Sequence, residues 1–287
     1  MKCHRLPPVL LGLFVWTGVI TSSAAPFSDR LLRDEGFWGD GKAEVVVFDA
    51  EEKRYGTLRK TEVRHILVRE NFAADETVKA DNWQAPGTYP VIKLNQVITI
   101  PTGSYRYDQG HSAFWRQDSG ELIKFTSTTN DSCGLSYKHG LIDGDRWHYR
   151  AFTYWEGMSE VEERQSAPAN ALLYDELPFK LRTVDFGKIT LFEAPLMDST
   201  IDSKADPLAW SSAAFAIART PDGWRVTVKH RHGTDRLFFD HKSPHTLKRW
   251  QRWDGSSLER RHSIRIPYWQ LNQPGDERYL KPGTTHP

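Results

Sequence analysis

Hydrophobic side chains recur at every second position along much of this chain, and that period suits a sheet and little else. Trp224, Val226 and Val228 alternate with Arg225, Thr227 and Lys229, while Ile264, Ile266 and Tyr268 alternate with Ser263 and Arg265. Successive side chains of a strand point to opposite faces, so each run reads as a strand with one buried and one wet side. The same reading marks Glu44 to Ala50, Thr61 to Glu70, Val91 to Ile100, Ser112 to Gln117, Glu121 to Thr128, Trp147 to Trp155 and Ala209 to Arg219. Between them lie turn sequences such as Asp118-Ser119-Gly120, Asp143-Gly144-Asp145, Pro221-Asp222-Gly223, His232-Gly233-Thr234 and Trp253-Asp254-Gly255. Turns this short join antiparallel neighbours, because a parallel connection needs a dozen or more residues. The prediction is a mainly β protein: an antiparallel meander forming a curled sheet, an open barrel or two packed sheets, with a few short helices. Helical pattern is confined to Phe27 to Glu35 and Ala73 to Asp81. The 11 Trp, 10 Tyr and 14 Phe against 3 Met agree with a sheet-built core.

The N-terminus has a different grammar. Lys2 and Arg5 precede an apolar run from Val9 to Ile20, followed by Thr21, Ser22, Ser23, Ala24 and Ala25. That order is the one of a cleavable secretory signal, with the cut expected after Ala24, since cutting one residue later would place Pro26 just past the scissile bond. The run is too short to span a bilayer, which takes roughly 20 apolar residues. Cys3 precedes the run and is not placed for lipidation. The expected organisation is therefore a signal peptide over 1–24, an N-terminal β half over 25–158, a polar linker loop over 159–170, a C-terminal β half over 171–270 and an irregular tail over 271–287. The mature protein is expected to be exported, periplasmic or extracellular, with no transmembrane segment.

Cleavage leaves Cys133 as a lone thiol, so no internal disulfide is available in a compartment that would permit one. Cys133 lies in Asn130-Asp131-Ser132-Cys133-Gly134, and a nucleophile activated by His139, His148 or His111 is one reading of it. Plain packing of a free cysteine is the commoner one. His230 and His232 stand two apart on a strand, with His241, His245 and His262 following, which is raw material for a zinc site. The alternation turns His230 toward the core, however, so no metal and no other cofactor is expected. The acidic residues at Glu51-Glu52, Glu160, Glu162, Glu163 and Asp175-Glu176 fall in apparent turns and polar loops, where solvated carboxylates are the rule. Phosphate-binding glycine loops, nucleophile-elbow serines, H-E-x-x-H and paired C-x-x-C are missing from the sequence.

Charge is the stronger lead. The whole chain carries a formal +1, yet Gly223 to Arg265 holds eleven Lys and Arg against four Asp and Glu. Within that stretch Arg249, Trp250, Arg252, Trp253, Arg260 and Arg261 interleave cations with indoles, a combination that can hold anionic groups while stacking on a sugar ring or acyl face. An exported protein is a poor fit for nucleic acid, so the expected partner is an envelope lipid, glycan or polyanion, and nothing in the sequence fixes an oligomeric state.

Several short stretches also resemble a known family: Phe37-Trp38 with Asp40-Gly41-Lys42-Ala43-Glu44, Arg54-Tyr55-Gly56, Lys79-Ala80-Asp81, Pro90 to Asn95, Thr102-Gly103 with Tyr105 and Tyr107, and Cys133-Gly134. They are similar to exported bacterial proteins often labelled "septum formation inhibitor Maf", which are distinct from the cytoplasmic Maf nucleotide pyrophosphatases. The likeness spans about residues 36 to 135 and implies an exported β fold without implying a mechanism. The functional expectation is non-enzymatic binding of an envelope amphiphile, glycan or polyanion, with a cysteine-dependent envelope hydrolase or transferase using Cys133 as the alternative.

Overall fold

Pairing of neighbours in sequence accounts for nearly every strand. The computed structural model describes residues 26–143, 145–281 and 284; the expected signal peptide lies outside them. Sixteen strands follow in order: β1 (Ala43–Arg54), β2 (Thr57–Ala73), β3 (Val78–Lys79), β4 (Thr88–Pro101), β5 (Arg106–Arg116), β6 (Leu122–Asn130), β7 (Leu135–Asp143), β8 (Arg146–Phe152), β9 (Glu160–Ser166), β10 (Leu172–Leu173), β11 (Leu191–Met197), β12 (Trp210–Thr220), β13 (Gly223–His230), β14 (Gly233–Phe239), β15 (Leu247–Gln251) and β16 (Ser257–Ile266). They form one sheet in the order β10 to β16, then β1, β2 and β4 to β9, with the short β3 attached to β2. All pairings are antiparallel except β10 with β11. The protein is thus mainly β, a single curled, unclosed sheet with a few short helical turns.

Three expectations about local structure are corrected. Most of Phe27 to Glu35 is turns and bends: Phe27 bridges to Val184, and Glu35 opens the four-residue helical turn Glu35–Trp38, capped by Asp34, whose side chain accepts from the Phe37 N–H at 3.1 Å. Ala73 to Asp81 is the end of β2, a turn and β3. Residues 159–170, read as a linker loop, contain the strand β9.

The two halves meet where β1 pairs with β16, from Ala43 opposite Ile266 to Glu51 opposite Ser257, with one register shift between Val47 and Phe48. The free edges lie on either side of the 167–171 link, at β9 and β10. There the ladder stops, and other contacts span the gap. Segment 198–209, between β11 and β12, reaches across to the far side. Lys138 of β7 donates to the Thr200 carbonyl at 2.9 Å and pairs with Asp202 at 2.7 Å. Gln165 of β9 donates to the Leu208 carbonyl at 2.8 Å, and Glu163 accepts from the Leu208 N–H at 3.1 Å.

A segment from Leu172 to Thr183 threads the inside of the curl, the short strand β10 running on into consecutive helical turns from Tyr174 to Thr183. Leu172, Leu177 and Leu181 pack against strand residues such as Phe48, Ile98, Phe215, Val226 and Trp250. Phe179 packs with Trp38 and Trp115, at ring distances of 6.3 and 4.6 Å. Beside the gap, Phe125 lies flat across Gly140 of the next strand. A Cβ built on Gly140 would sit 2.1 Å from the ring, so only glycine leaves room for that aromatic layer with Trp147 and Tyr149.

Candidate functional site

The interior is more polar than the alternation implies, and the inner segment is the reason. Asp175 and Glu176, read from sequence as solvated, are 2% and 1% exposed. Each is held by donors from the surrounding sheet or from segment 198–209. Asp175 accepts from the Ser199 hydroxyl at 2.6 Å and from the Thr200 N–H and hydroxyl at 2.6 and 2.9 Å. Glu176 accepts from the Trp115 indole N–H at 2.7 Å and from the Leu173 N–H at 3.0 Å. Burial raises the Glu176 pKa above its usual 4.5, an effect that Lys180 and these donors offset only in part.

Asp235 is another buried acid. It accepts from the Tyr174 hydroxyl at 2.5 Å, the Trp250 indole N–H at 2.8 Å and the Trp253 N–H at 2.9 Å, with His230 Nε2 3.2 Å away. Burial pushes its pKa upward, but the hydrogen bonds from His230, Tyr174, Trp250 and Trp253 prevail and hold it below 3.8.

His111, Ser127, Thr200 and Asp175 come together as a catalytic triad would, but the connectivity is different. Ser127 Oγ lies 2.8 Å from His111 Nδ1 and 2.5 Å from Thr200 Oγ1, and Asp175 approaches the same Nδ1 at 3.9 Å. In a triad the nucleophile and the acid occupy opposite ring nitrogens. Here both converge on one, Nε2 is buried without a hydrogen-bond partner among the described residues, and the His111 side chain is fully shielded. The cluster is structural.

Cys133 is exposed in the β6–β7 turn, where its N–H donates to the Asp131 carboxylate at 2.7 Å. From Leu135 to His139 is four residues of extended strand, about 13 Å, which keeps that imidazole away from the thiol. His139 stacks beside Tyr137, and burial, with nearby Lys124, His148 and Arg150, lowers its pKa to about 4. His148 Nε2 contacts Glu162 at 2.8 Å. The structure does not bring Cys133, His139 and His148 into one constellation. Among the described residues no group of three or more His, Cys, Asp or Glu side chains is placed to hold a metal ion.

The basic aromatic stretch is dispersed in the same way. Trp250 is fully buried on Asp235. Arg252 is inside, bonded to Glu52 at 2.8 and 3.1 Å. Arg260 forks onto Asp240 at 2.6 and 2.8 Å, and Arg261 pairs with Asp49 and with Glu62. Arg249 lies over the Phe238 ring at 4.2 Å, with Glu259 at 3.7 Å. Trp253 remains half exposed and stacks on His232 at 5.2 Å. These six residues do not share one surface.

What the sequence does not disclose is a cleft of about 470 Å³ at the gap in the sheet. Its apolar wall is Leu122, Ile123, Ile142 and Trp147 on one side and Ala171, Leu172 and Leu173 on the other, with Arg146, Glu121, Glu176 and Lys180 among its polar lining. Lys180 donates to the Gly120 carbonyl at 2.7 Å, and burial lowers its pKa, with Glu176 and Glu121 opposing. Trp210 also lines the cleft, and its indole N–H is buried without an acceptor among the described residues. A buried polar donor with no partner is uncommon in a finished core. The volume falls in the range of small-ligand sites, roughly 300–1,000 Å³.

No helix among the described residues is long and apolar enough to cross a membrane. No family model and no curated protein matches this sequence. Among solved structures, the chain is similar to a β-barrel-like protein of the domain of unknown function DUF1849 from Brucella abortus, with a TM-score of 0.48 and 10% identity over 78% of this chain and 98% of that one. It is also similar to a DUF1089 family protein from Pseudomonas aeruginosa, with a TM-score of 0.37 and 15% identity over 54% of this chain and 82% of that one.

Proposed function

We propose that this chain is an exported, non-enzymatic binding protein that takes up one amphiphile in the cleft where its sheet fails to close. The observation that carries the reading is the cleft of about 470 Å³ lined by Trp210, whose indole N–H has no acceptor among the described residues. An acyl chain would lie along Leu122, Ile142, Trp147 and Leu173. A head-group oxygen would accept from Trp210 and meet the charge of Arg146 at the rim. Removing the apolar portion from water supplies the affinity, and the few polar groups set the orientation.

The test is binding of lauric acid and of a lysophospholipid, read by tryptophan fluorescence. Wild-type protein is expected to bind at least one of them. Ala171→Trp, which fills the cleft from its wall, is expected to lose at least about tenfold in affinity while keeping the wild-type circular dichroism. Equal binding by Ala171→Trp, or no binding of either ligand by the wild type, contradicts the reading. Export is checked separately by N-terminal sequencing of the protein recovered from producing cells, where Ala25 as first residue supports it and Met1 overturns it.

A further inference from the structure

Most cations of the basic C-terminal stretch are used up internally, but one set is not. The outward side chains of β12 to β15 follow from the register, because Ala213, Phe215, Val226, Val228, Asp235, Leu237, Leu247 and Trp250 all face the core. Their neighbours therefore face out, in rows across the sheet. Ala218, Arg225, Phe238 and Arg249 form one row; Ala216, Thr227, Arg236 and Gln251 the next; Ala214, Lys229 and Thr234 the third. Each row holds at least one cation and no acid. The rows stand about 7 Å apart along the strands, and the strands about 4.8 Å apart.

Among the described residues Arg225, Lys229 and Arg236 make no ion pair. Arg225 and Arg249 each keep a shielded Nε without a hydrogen-bond acceptor. The nearest carboxylate on this side is Glu259 at the margin, 3.7 Å from Arg249. Such a surface is a lattice of positive charge interleaved with the Thr227 and Thr234 hydroxyls and the Gln251 amide. Its one large apolar side chain, Phe238, is covered by the Arg249 guanidinium at 4.2 Å.

We propose that the outer face of β13 to β15 binds an extended acidic polysaccharide. Repeated anionic groups along such a chain match cations repeated from row to row, and the interleaved hydroxyl and amide groups match sugar hydroxyls. A bilayer surface is the poorer match, because interfacial binding relies on apolar side chains that enter the lipid, and the only one here lies beneath a guanidinium. This face is on the outside of the sheet and the cleft is at the gap in it, so either site can fail without the other.

The experiment measures binding of the full chain to polygalacturonate and to dextran sulfate between about 50 and 200 mM salt. Wild-type protein is expected to bind, more weakly as salt rises. Lys229→Ala/Arg236→Ala is expected to lower the slope of log affinity against log salt by about 2, one per cation removed. A second pair, Lys79→Ala/Lys281→Ala, removes the same charge from exposed positions off this face and is expected to behave as wild type. Thermal melting of both variants verifies the fold. The proposal is overturned by absence of binding to both polysaccharides at low salt, by equal losses in the two double variants, or by tighter binding to duplex DNA or to phosphatidylglycerol vesicles than to either polysaccharide.

Discussion

His65 shows how much one buried side chain can impose on this protein. It occupies an inward position of β2 between Val63 and Leu67, beside Phe48, and its Nε2 has no hydrogen-bond partner among the described residues. Burial, reinforced by the charges of Arg252 and Arg182, lowers its pKa from 6.5 to about 3. The unfolded chain accepts a proton that the folded chain refuses, so this contribution to stability is complete above pH 6.5 and declines as pH falls toward 3. The slope approaches about 1.4 kcal/mol per pH unit. His111, lowered by burial and opposed by Asp175, acts in the same direction. Urea unfolding at pH 7.5 and pH 5 is expected to show a loss of about 2 kcal/mol from His65 alone, absent in His65→Leu; an equal loss in both proteins would remove His65 as the cause. The inward placement of His65 was legible, since it follows from its place between two apolar residues. The burial of Asp175 and Glu176 was not, because the donors that satisfy them come from Ser199, Thr200 and Trp115, far away in sequence.

At the scale of elements, alternation located strands such as β13 and β16, whose inner faces are apolar, and failed where the inner face is polar. β7 turns Ser136, Lys138 and Gly140 inward, since Ser136 and Lys138 bond to segment 198–209 and Gly140 receives Phe125. Its apolar residues Leu135 and Tyr137 are therefore outside, and the usual pattern is reversed. β14 places Asp235 in the core, which breaks its run in the same manner. The inner segment from Leu172 to Thr183 is tied to the wall by Arg182, which forks onto Glu44 of β1 at 2.6 and 3.0 Å with both side chains buried. Removing one member of a buried pair strands the other charge, whereas replacing both by apolar groups does not. Glu44→Ala is accordingly expected to cost about 3–5 kcal/mol in denaturant unfolding, and Glu44→Met/Arg182→Met less than Glu44→Ala alone. A double variant less stable than the single one would show that the ion pair itself, and not the avoidance of a stranded charge, is what holds the segment.

At the scale of the whole molecule, the gap in the sheet and the meeting of its two ends have opposite positions in the sequence. The ladder breaks at residues 167–171, in mid-chain, while β1 and β16 close the centre of the sheet through nine residue pairs. A reading by local pattern sees the polar stretch over 159–170 and divides the chain there, although that stretch holds the edge strand β9. It cannot see that the cleft forms at that place, because the lining comes from residues between Phe27 and Trp210 that only the curl brings together. Mid-chain placement of the break also means that a cut there divides a single ladder, β1 with β16, between the two pieces, whereas a cut in a hairpin turn divides a second one. The protein is, in effect, a split pair already joined: polypeptides 26–168 and 169–284, produced separately and mixed, are expected to reassemble through β1 and β16 and co-elute as one complex, whereas a cut at the β4–β5 turn is expected to yield none.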